Sequence, residues 1–296
     1  MKMMTRSEID EMISIAGDQV VENVMHQMEE QKEGFDPRDI LMNGALNVIT
    51  SFLISETYAF NDPEQVMIFN FTTTLLKGLL DLAVLLIWSR MFPDFMIRKG
   101  WHKSILEWIK PKSYDIYNVL FGQAFPFWMK KIKQHQLTLD VDAPRDFLDT
   151  LLIQAKLNNE IGYHSVIMTT MALYVAGADS TSNTLRWILS ILAEHQDVQE
   201  KFYQDIKQCK SKMGKPTSSE CHYVNAVIEE VFRFRPITES VMHGTVCDIN
   251  VEGHFIPAGT MVQANFTSVH FNPKYFTNPE SFNPDRFISD GIFKVN

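Results

Sequence analysis

Residues 172–187 read ALYVAGADSTSNTLRW and place an acid and two hydroxyls inside an otherwise apolar segment. The acid is Asp179, and Ser180 and Thr181 follow it directly. A carboxyl group beside a hydroxyl can relay protons to a reacting group. Because a helical serine can bond back to the carbonyl four residues earlier, we expect the Ser180 hydroxyl to reach the Ala176 carbonyl and open the helix locally.

Gly177 occupies the middle of the same segment. Glycine inside a helix costs about 0.5–1 kcal/mol relative to alanine, so either another group approaches the backbone there or the helix bends there. With Ala176 it forms a small pair against which a flat ligand can lie. A kink produced by helix packing explains the same two residues without a ligand, and the segment alone leaves both interpretations open.

A second group of charged residues lies further along the chain. Glu230 and Arg233 are three residues apart on one helix face, where an exposed ion pair contributes only a few tenths of a kcal/mol. The neighbouring Val227 and Val231 are apolar, which predicts a partly buried pair that needs additional partners. Arg286, in the segment NPDRF, is the third charged candidate, and a buried cluster of the three would tie the late loop onto the helix.

Hydrophobic periodicity predicts a mainly α-helical fold with a small antiparallel β region in one partial domain, residues 1–296. The helical part covers 1–236, and the β region and a meandering loop cover 237–296. Asp36 and Pro37 are the expected N-cap and first helical residue of the second helix. The helices are expected at 9–24, 37–53, 63–88, 118–136, 144–157, 164–195, 197–210 and 223–236.

Composition excludes several classes of protein. The net charge of −9 argues against binding of nucleic acid, which requires a basic surface. Cys209, Cys221 and Cys247 show neither a paired CxxC motif nor metal-ligand spacing, so no disulfide framework and no zinc site are predicted. The first residues lack the basic-then-apolar order of a signal peptide, and the uncharged run 161–178 contains too many polar side chains for a spanning helix.

Three motifs in this order resemble those of the cytochromes P450, which are haem-thiolate monooxygenases. AGADST at 176–181 resembles the oxygen-activation motif of the central helix, EVFR at 230–233 the Glu-x-x-Arg motif, and FNPDRF at 282–287 the meander motif. APRDFLDTLL and YVNAVIEEV are similar to the microsomal, drug-metabolising animal branch. The resemblance therefore implies a truncated cytochrome P450 fold.

The resemblance also implies roles for single residues. Ala176 and Gly177 would lie over the haem, and the catalytic motif Asp179, Ser180 and Thr181 would deliver protons during oxygen activation. The family usually has threonine where Ser180 stands, and serine lacks the methyl group that restricts the rotamer.

The remaining assignments concern the late part of the chain. His243 matches a position that contacts a haem propionate, whereas a surface histidine at a strand edge is the simpler interpretation. Glu230, Arg233 and Arg286 would have structural roles.

By resemblance, the cofactor is haem, and the partners are a small apolar substrate, dioxygen and an NADPH-dependent flavoprotein reductase at the cytoplasmic face of the endoplasmic reticulum membrane. No residue of the chain is assigned as the iron ligand, because the Gly-rich loop with the ligating cysteine is expected after the meander. We therefore expect the chain as written to be incomplete and inactive. The alternative is a non-catalytic helical remnant or binding protein from a decayed gene.

Overall fold

The computed structural model of the chain describes residues 6–30, 34–60, 62–77, 118–157, 162–213 and 220–294. The residues fall into two compact units, Met1–Ser182 and Asn183–Asn296. The helix predicted over 63–88 is described only as far as Lys77, and its remainder lies outside the described residues. That residues 1–296 form one partial domain stays a prediction.

The first unit is helical. Its elements are α1 (Arg6–Glu30), α2 (Arg38–Ile54), α3 (Pro63–Lys77), a π-helical turn (Leu120–Ala124), α4 (Phe125–Leu137), α5 (Phe147–Leu157) and the first part of α6 (Tyr163–Glu194). Helix α2 begins one residue later than predicted, with Pro37 at the N-cap position. Asp36 still helps to start the helix, because its Oδ1 accepts a hydrogen bond from the Arg38 N–H at 3.0 Å.

The core of the first unit packs side chains of α2, α3, α4 and α5 against one face of α6. The edge of the Trp128 ring on α4 meets the Tyr174 ring on α6, with centroids 5.3 Å apart. Each large apolar side chain that is fully buried contributes about 1.5–3 kcal/mol. The largest fully buried apolar side chains of this core are Trp128, Tyr174, Leu46, Leu53, Ile68, Ile132, Leu148, Leu152 and Val166.

A buried charged cluster joins the end of α4 to the start of α5. His135 Nε2 lies 2.9 Å from Asp146 Oδ2, and His135 Nδ1 lies 2.9 Å from the Lys131 carbonyl oxygen. Asp146 also caps α5, because its Oδ1 accepts the Asp149 N–H at 2.9 Å. Arg145 donates to both carboxylate oxygens of Asp149, at 2.8 and 2.9 Å. The cluster therefore fixes the turn between the two helices.

The protonation of His135 follows from these contacts. Burial lowers the pKa of His135, but the hydrogen bond and charge of Asp146, with the Lys131 carbonyl, outweigh burial and raise the pKa above its ordinary value. Both ring nitrogens face acceptors, so the charged imidazolium satisfies both of them by donating.

The second unit combines the end of α6 with three helices and short strands. The elements are α7 (Gln196–Met213), α8 (His222–Phe234), β1 (Ser240–Gly244), β2 (Ile249–Val251), β3 (His254–Ile256), β4 (Met261–Asn265), α9 (Phe266–His270), a 3-10 turn (Pro284–Phe287), β5 (Ile288–Ser289) and β6 (Ile292–Phe293). Within the described residues, the antiparallel pairs are β1 with β4, β2 with β3, and β5 with β6.

The predicted fold class, mainly α with a small antiparallel β region, is confirmed. The core of the second unit forms where α6, α7 and α8 meet, through Ile191, Leu192, Val198, Val227 and Val231. Cys247 lies in the bend between β1 and β2.

Candidate active site

Helix α6 has a packed face and an open face at the predicted oxygen-activation motif. Tyr174 and Ala178 are fully buried against the core of the first unit. Met168 and Leu173 are 47% and 39% exposed, and Ala176 is exposed on the same open side. A small residue among exposed apolar side chains leaves a flat apolar surface along the helix.

The polar residues of the motif lie at the edge of this open face. The Ser180 hydroxyl donates to the Ala176 carbonyl oxygen at 2.8 Å, as the sequence predicts. The helix stays α-helical through this point, so the expected local opening is not seen. Asp179 is half-buried and Thr181 is exposed. The motif therefore presents an acid and two hydroxyls within one turn beside the apolar surface.

Gly177 faces helix α2. A Cβ atom added at Gly177 would lie 2.5 Å from Ile49 Cδ1 and 2.8 Å from Ile49 Cγ1. Real Cβ atoms essentially never approach other heavy atoms so closely. Close packing of α2 thus accounts for the glycine, and the structure places Gly177 against a protein side chain.

Adding a methyl group at this contact is expected to destabilise the first unit. Overpacking costs about 1–3 kcal/mol, whereas the gain in helix propensity from Gly177→Ala is about 0.8–1.0 kcal/mol. We expect a net loss of about 1 kcal/mol in urea unfolding. Shortening the opposing side chain with Ile49→Val should recover part of that loss in the double variant. If the double variant instead loses the sum of the two single losses, the contact between Gly177 and Ile49 is contradicted.

The sequence-predicted charges of the second unit form one buried cluster. Glu230 is 0% exposed and Arg233 2% exposed. Arg233 Nε donates to Glu230 Oε2 at 2.8 Å, and its Nη2 donates to Oε1 at 2.9 Å. Arg286 Nε donates to Glu230 Oε1 at 3.1 Å. One carboxylate therefore holds two guanidinium groups whose residues are far apart in sequence.

Backbone groups of the late loop complete this cluster. Glu230 Oε1 also accepts the Asn283 N–H at 2.8 Å. Carbonyl oxygens accept further guanidinium N–H groups: those of His270, Pro279 and Ser281 bind Arg233, and those of Thr277 and Ser281 bind Arg286. The sequence did not identify these backbone partners, although the repeated Asn-Pro pairs indicate an ordered loop. The cluster thus ties residues 270–286 to α8.

His243 lies on β1, which pairs with β4. It is exposed on β1 and pairs with Val262 of β4. Its role at a haem propionate stays a prediction.

On the open face of α6, Ala176 presents a small side chain among exposed apolar ones, and its role at a cofactor stays a prediction. The three cysteines, which are the candidate thiolate ligands for iron, lie elsewhere. Cys209 is buried on α7, Cys221 is buried at the start of α8, and Cys247 is exposed in a bend. None of the three cysteines belongs to α6. We assign no metal ligand to the chain at this face.

A mainly helical fold with one long apolar helix and a buried Glu-x-x-Arg cluster is the arrangement that the haem monooxygenase resemblance implies. The profile of the family Cytochrome P450 matches residues 1–295. The chain belongs to the cytochrome P450 family.

Individual relatives and one solved structure agree with this family assignment. Cytochrome P450 2C16 of Oryctolagus cuniculus is 32% identical over 275 residues, which cover 88% of this chain and 52% of the relative. Cytochrome P450 2J3 of Rattus norvegicus is 31% identical over 289 residues, which cover 93% and 55%. A zebra fish cytochrome P450 structure with progesterone has a TM-score of 0.78 and 25% identity, covering 96% of this chain and 63% of that one. The chain spans about half the length of the relatives.

Proposed function

We propose that this chain supplies the oxygen-activation helix and the Glu-x-x-Arg core of a haem monooxygenase that oxidises small apolar organic substrates. One observation carries the proposal: an open apolar face of α6 at Ala176 is bordered by Ser180, whose hydroxyl is held 2.8 Å from the Ala176 carbonyl oxygen. The cofactor of the family is haem. When bound, haem supplies the activation of dioxygen and the insertion of one oxygen atom into the substrate.

The residues of α6 have distinct parts in this proposal. Ala176 lets a flat group lie close to the helix backbone, and the exposed Leu173 keeps water from that surface. Ser180 keeps acceptor capacity on its oxygen, so it can accept a proton that Asp179 takes up from solvent. In the same step it gives up its own hydroxyl proton, once the hydroxyl turns away from the Ala176 carbonyl. Thr181 projects about 100° further around the helix and is an additional hydroxyl of the motif.

Other parts of the proposal rest on the relatives. His243, exposed on β1, would donate to a haem propionate. Electrons would come from NADPH through a flavoprotein reductase at the cytoplasmic face of the endoplasmic reticulum membrane. Among the described helices, none has the length and apolar content needed to cross a bilayer.

The proposal predicts a defined effect of the Ser180 hydroxyl. In the protein reconstituted with haem and reductase, Ser180→Ala should lower the ratio of product formed to NADPH consumed by about 10-fold or more, because proton delivery contributes roughly 10²–10⁴-fold in rate. Ser180→Thr should retain that ratio.

Ser190→Ala is the matched control, since Ser190 is an exposed serine on the same helix. The proposed role of Ser180 is wrong if Ser180→Ala and Ser190→Ala give the same ratio of product to NADPH.

A further inference from the structure

Two buried cysteines and one carboxylate meet where α7 and α8 pack together. Cys209 lies on α7, one turn after Asp205, and Cys221 is the N-cap residue of α8. The two thiols and a carboxylate oxygen of Asp205 all lie within 4.8 Å of one another. Cys209 and Cys221 are 5% and 4% exposed, and Asp205 is half-buried.

One other group of potential ligands occurs in the described part of the chain. His135, Asp146 and Asp149 are equally close, but His135 and Asp146 bind each other and Arg145 occupies both oxygens of Asp149. That group is a structural ion-pair cluster. The group at Asp205 has a different composition, because two of its three ligands are neutral thiols without a cationic partner in the group.

We propose that Cys209, Cys221 and Asp205 bind a thiophilic divalent cation of the Zn²⁺ type. Zinc takes thiolate ligands at about 2.3 Å and carboxylate oxygens at about 2.0–2.2 Å, so ligand atoms of a tetrahedral site lie about 3.4–3.8 Å apart. The ligand atoms lie within 4.8 Å of one another, so side-chain rotations that move them by about 1 Å bring them into that range. Such rotations need no rearrangement of the helices.

Asp205 is already oriented toward this position by α8. Its Oδ2 accepts the N–H groups of Tyr223 and Val224 at 2.8 and 3.0 Å. A carboxylate offers about four lone-pair positions, so two such bonds leave acceptor capacity for a cation. Partners of this kind fix the direction of a metal ligand and strengthen binding.

The surroundings supply a fourth ligand position and a route for protons. A cavity of about 650 Å³ adjoins the group and is lined in part by Asp205, Cys209, Glu220 and His222. Water in this cavity can complete the tetrahedron from this side.

Binding releases two protons. One divalent cation, two thiols and one carboxylate give a bis-thiolate carboxylate complex of net charge −1, and the two thiol protons leave to water in the cavity. Burial, followed by the hydrogen bond with Cys209, raises the pKa of the Cys221 thiol to about 12. Because the cation must displace the thiol protons, its affinity should fall as the pH is lowered.

Cobalt(II) is the probe for this site, because thiolate ligation gives it a charge-transfer absorption that oxygen or nitrogen ligation does not. The 296-residue chain is titrated with Co²⁺ under nitrogen with a phosphine reductant, and far-ultraviolet circular dichroism is recorded at each step. We expect one cobalt per chain with the charge-transfer band, and loss of the band when Zn²⁺ is added. A wild-type chain that shows no band overturns the proposal, whatever its helix content.

Variants locate the ligands. Cys209→Ser and Cys221→Ser should each remove or strongly diminish the band and weaken cobalt binding by about 100-fold or more, and Asp205→Asn should weaken it about 10–100-fold while the band remains. Cys247→Ser, which changes an exposed cysteine in a bend, is the control and should match the wild type. A full band in both serine variants at Cys209 and Cys221, or its loss in Cys247→Ser, contradicts the proposal.

Discussion

Replacing Glu230 by alanine is expected to lower the free energy of unfolding of the second unit by about 3–5 kcal/mol, the usual effect of removing one partner of a buried ion pair. Glu230 is fully buried and accepts hydrogen bonds from Arg233, Arg286 and the Asn283 N–H. Its removal leaves the buried Arg233 guanidinium without its carboxylate. A domain is stable by only about 5–15 kcal/mol, so this is a large share of the total.

Amide hydrogen exchange over α8 and over residues 270–286 reports the loss locally. Glu229→Ala is the matched control, because Glu229 precedes Glu230 on the same helix and is only half-buried; its effect should be within about 0.5 kcal/mol. The double variant Glu230→Ala with Arg233→Ala should lose less than the sum of the single variants, since it removes the stranded charge. Equal exchange rates in Glu229→Ala and Glu230→Ala would contradict this role.

Asp146→Ala has the second-largest expected effect, a loss of about 2–4 kcal/mol in the first unit. The substitution removes the N-terminal cap of α5, which contributes about 1 kcal/mol, and leaves the buried His135 Nε2 without its partner, which costs about 1–3 kcal/mol. Urea unfolding measures the total, and faster hydrogen exchange in α4 and α5 should accompany it. A loss of unfolding free energy below about 1 kcal/mol would exclude a stabilising role for the His135–Asp146 pair.

The same pair predicts a pH dependence whose sign follows from the raised pKa of His135. Folding favours the protonated His135 ring. The stabilisation that the His135–Asp146 pair gives to the folded state is therefore fully present below the ordinary histidine pKa of about 6.5. It is lost as the pH rises through the higher pKa of His135 in the folded protein.

Asp146→Asn tests this sign. Asparagine keeps the oxygen that caps α5, and its amide can donate to a neutral His135. The increase in unfolding free energy at low pH should therefore become smaller. The measurement is the difference in unfolding free energy between wild type and Asp146→Asn across pH 6–9. A difference that stays constant with pH contradicts the linkage.

Local spacing in the sequence determined the helical fold and the contacts within single helices. The Ser180 bond to Ala176 spans four residues and the Glu230 pair with Arg233 spans three, so the helical period alone brings these groups together. The order of the three motifs likewise indicated the family. Each contact and each single motif is formed by residues near one another in the chain, which is why it can be recognised without a structure.

Only the tertiary structure decided which distant groups meet. The sequence left two explanations for Gly177, and the packing of Ile49 from α2 accounts for it. Spacing predicted no metal site, yet the approach of α7 to α8 brings Cys209 and Cys221 beside Asp205. The loop carbonyls around the Glu230 cluster were also not identifiable beforehand. Such contacts depend on how whole elements pack, because burial and chain direction, rather than local periodicity, bring distant residues together.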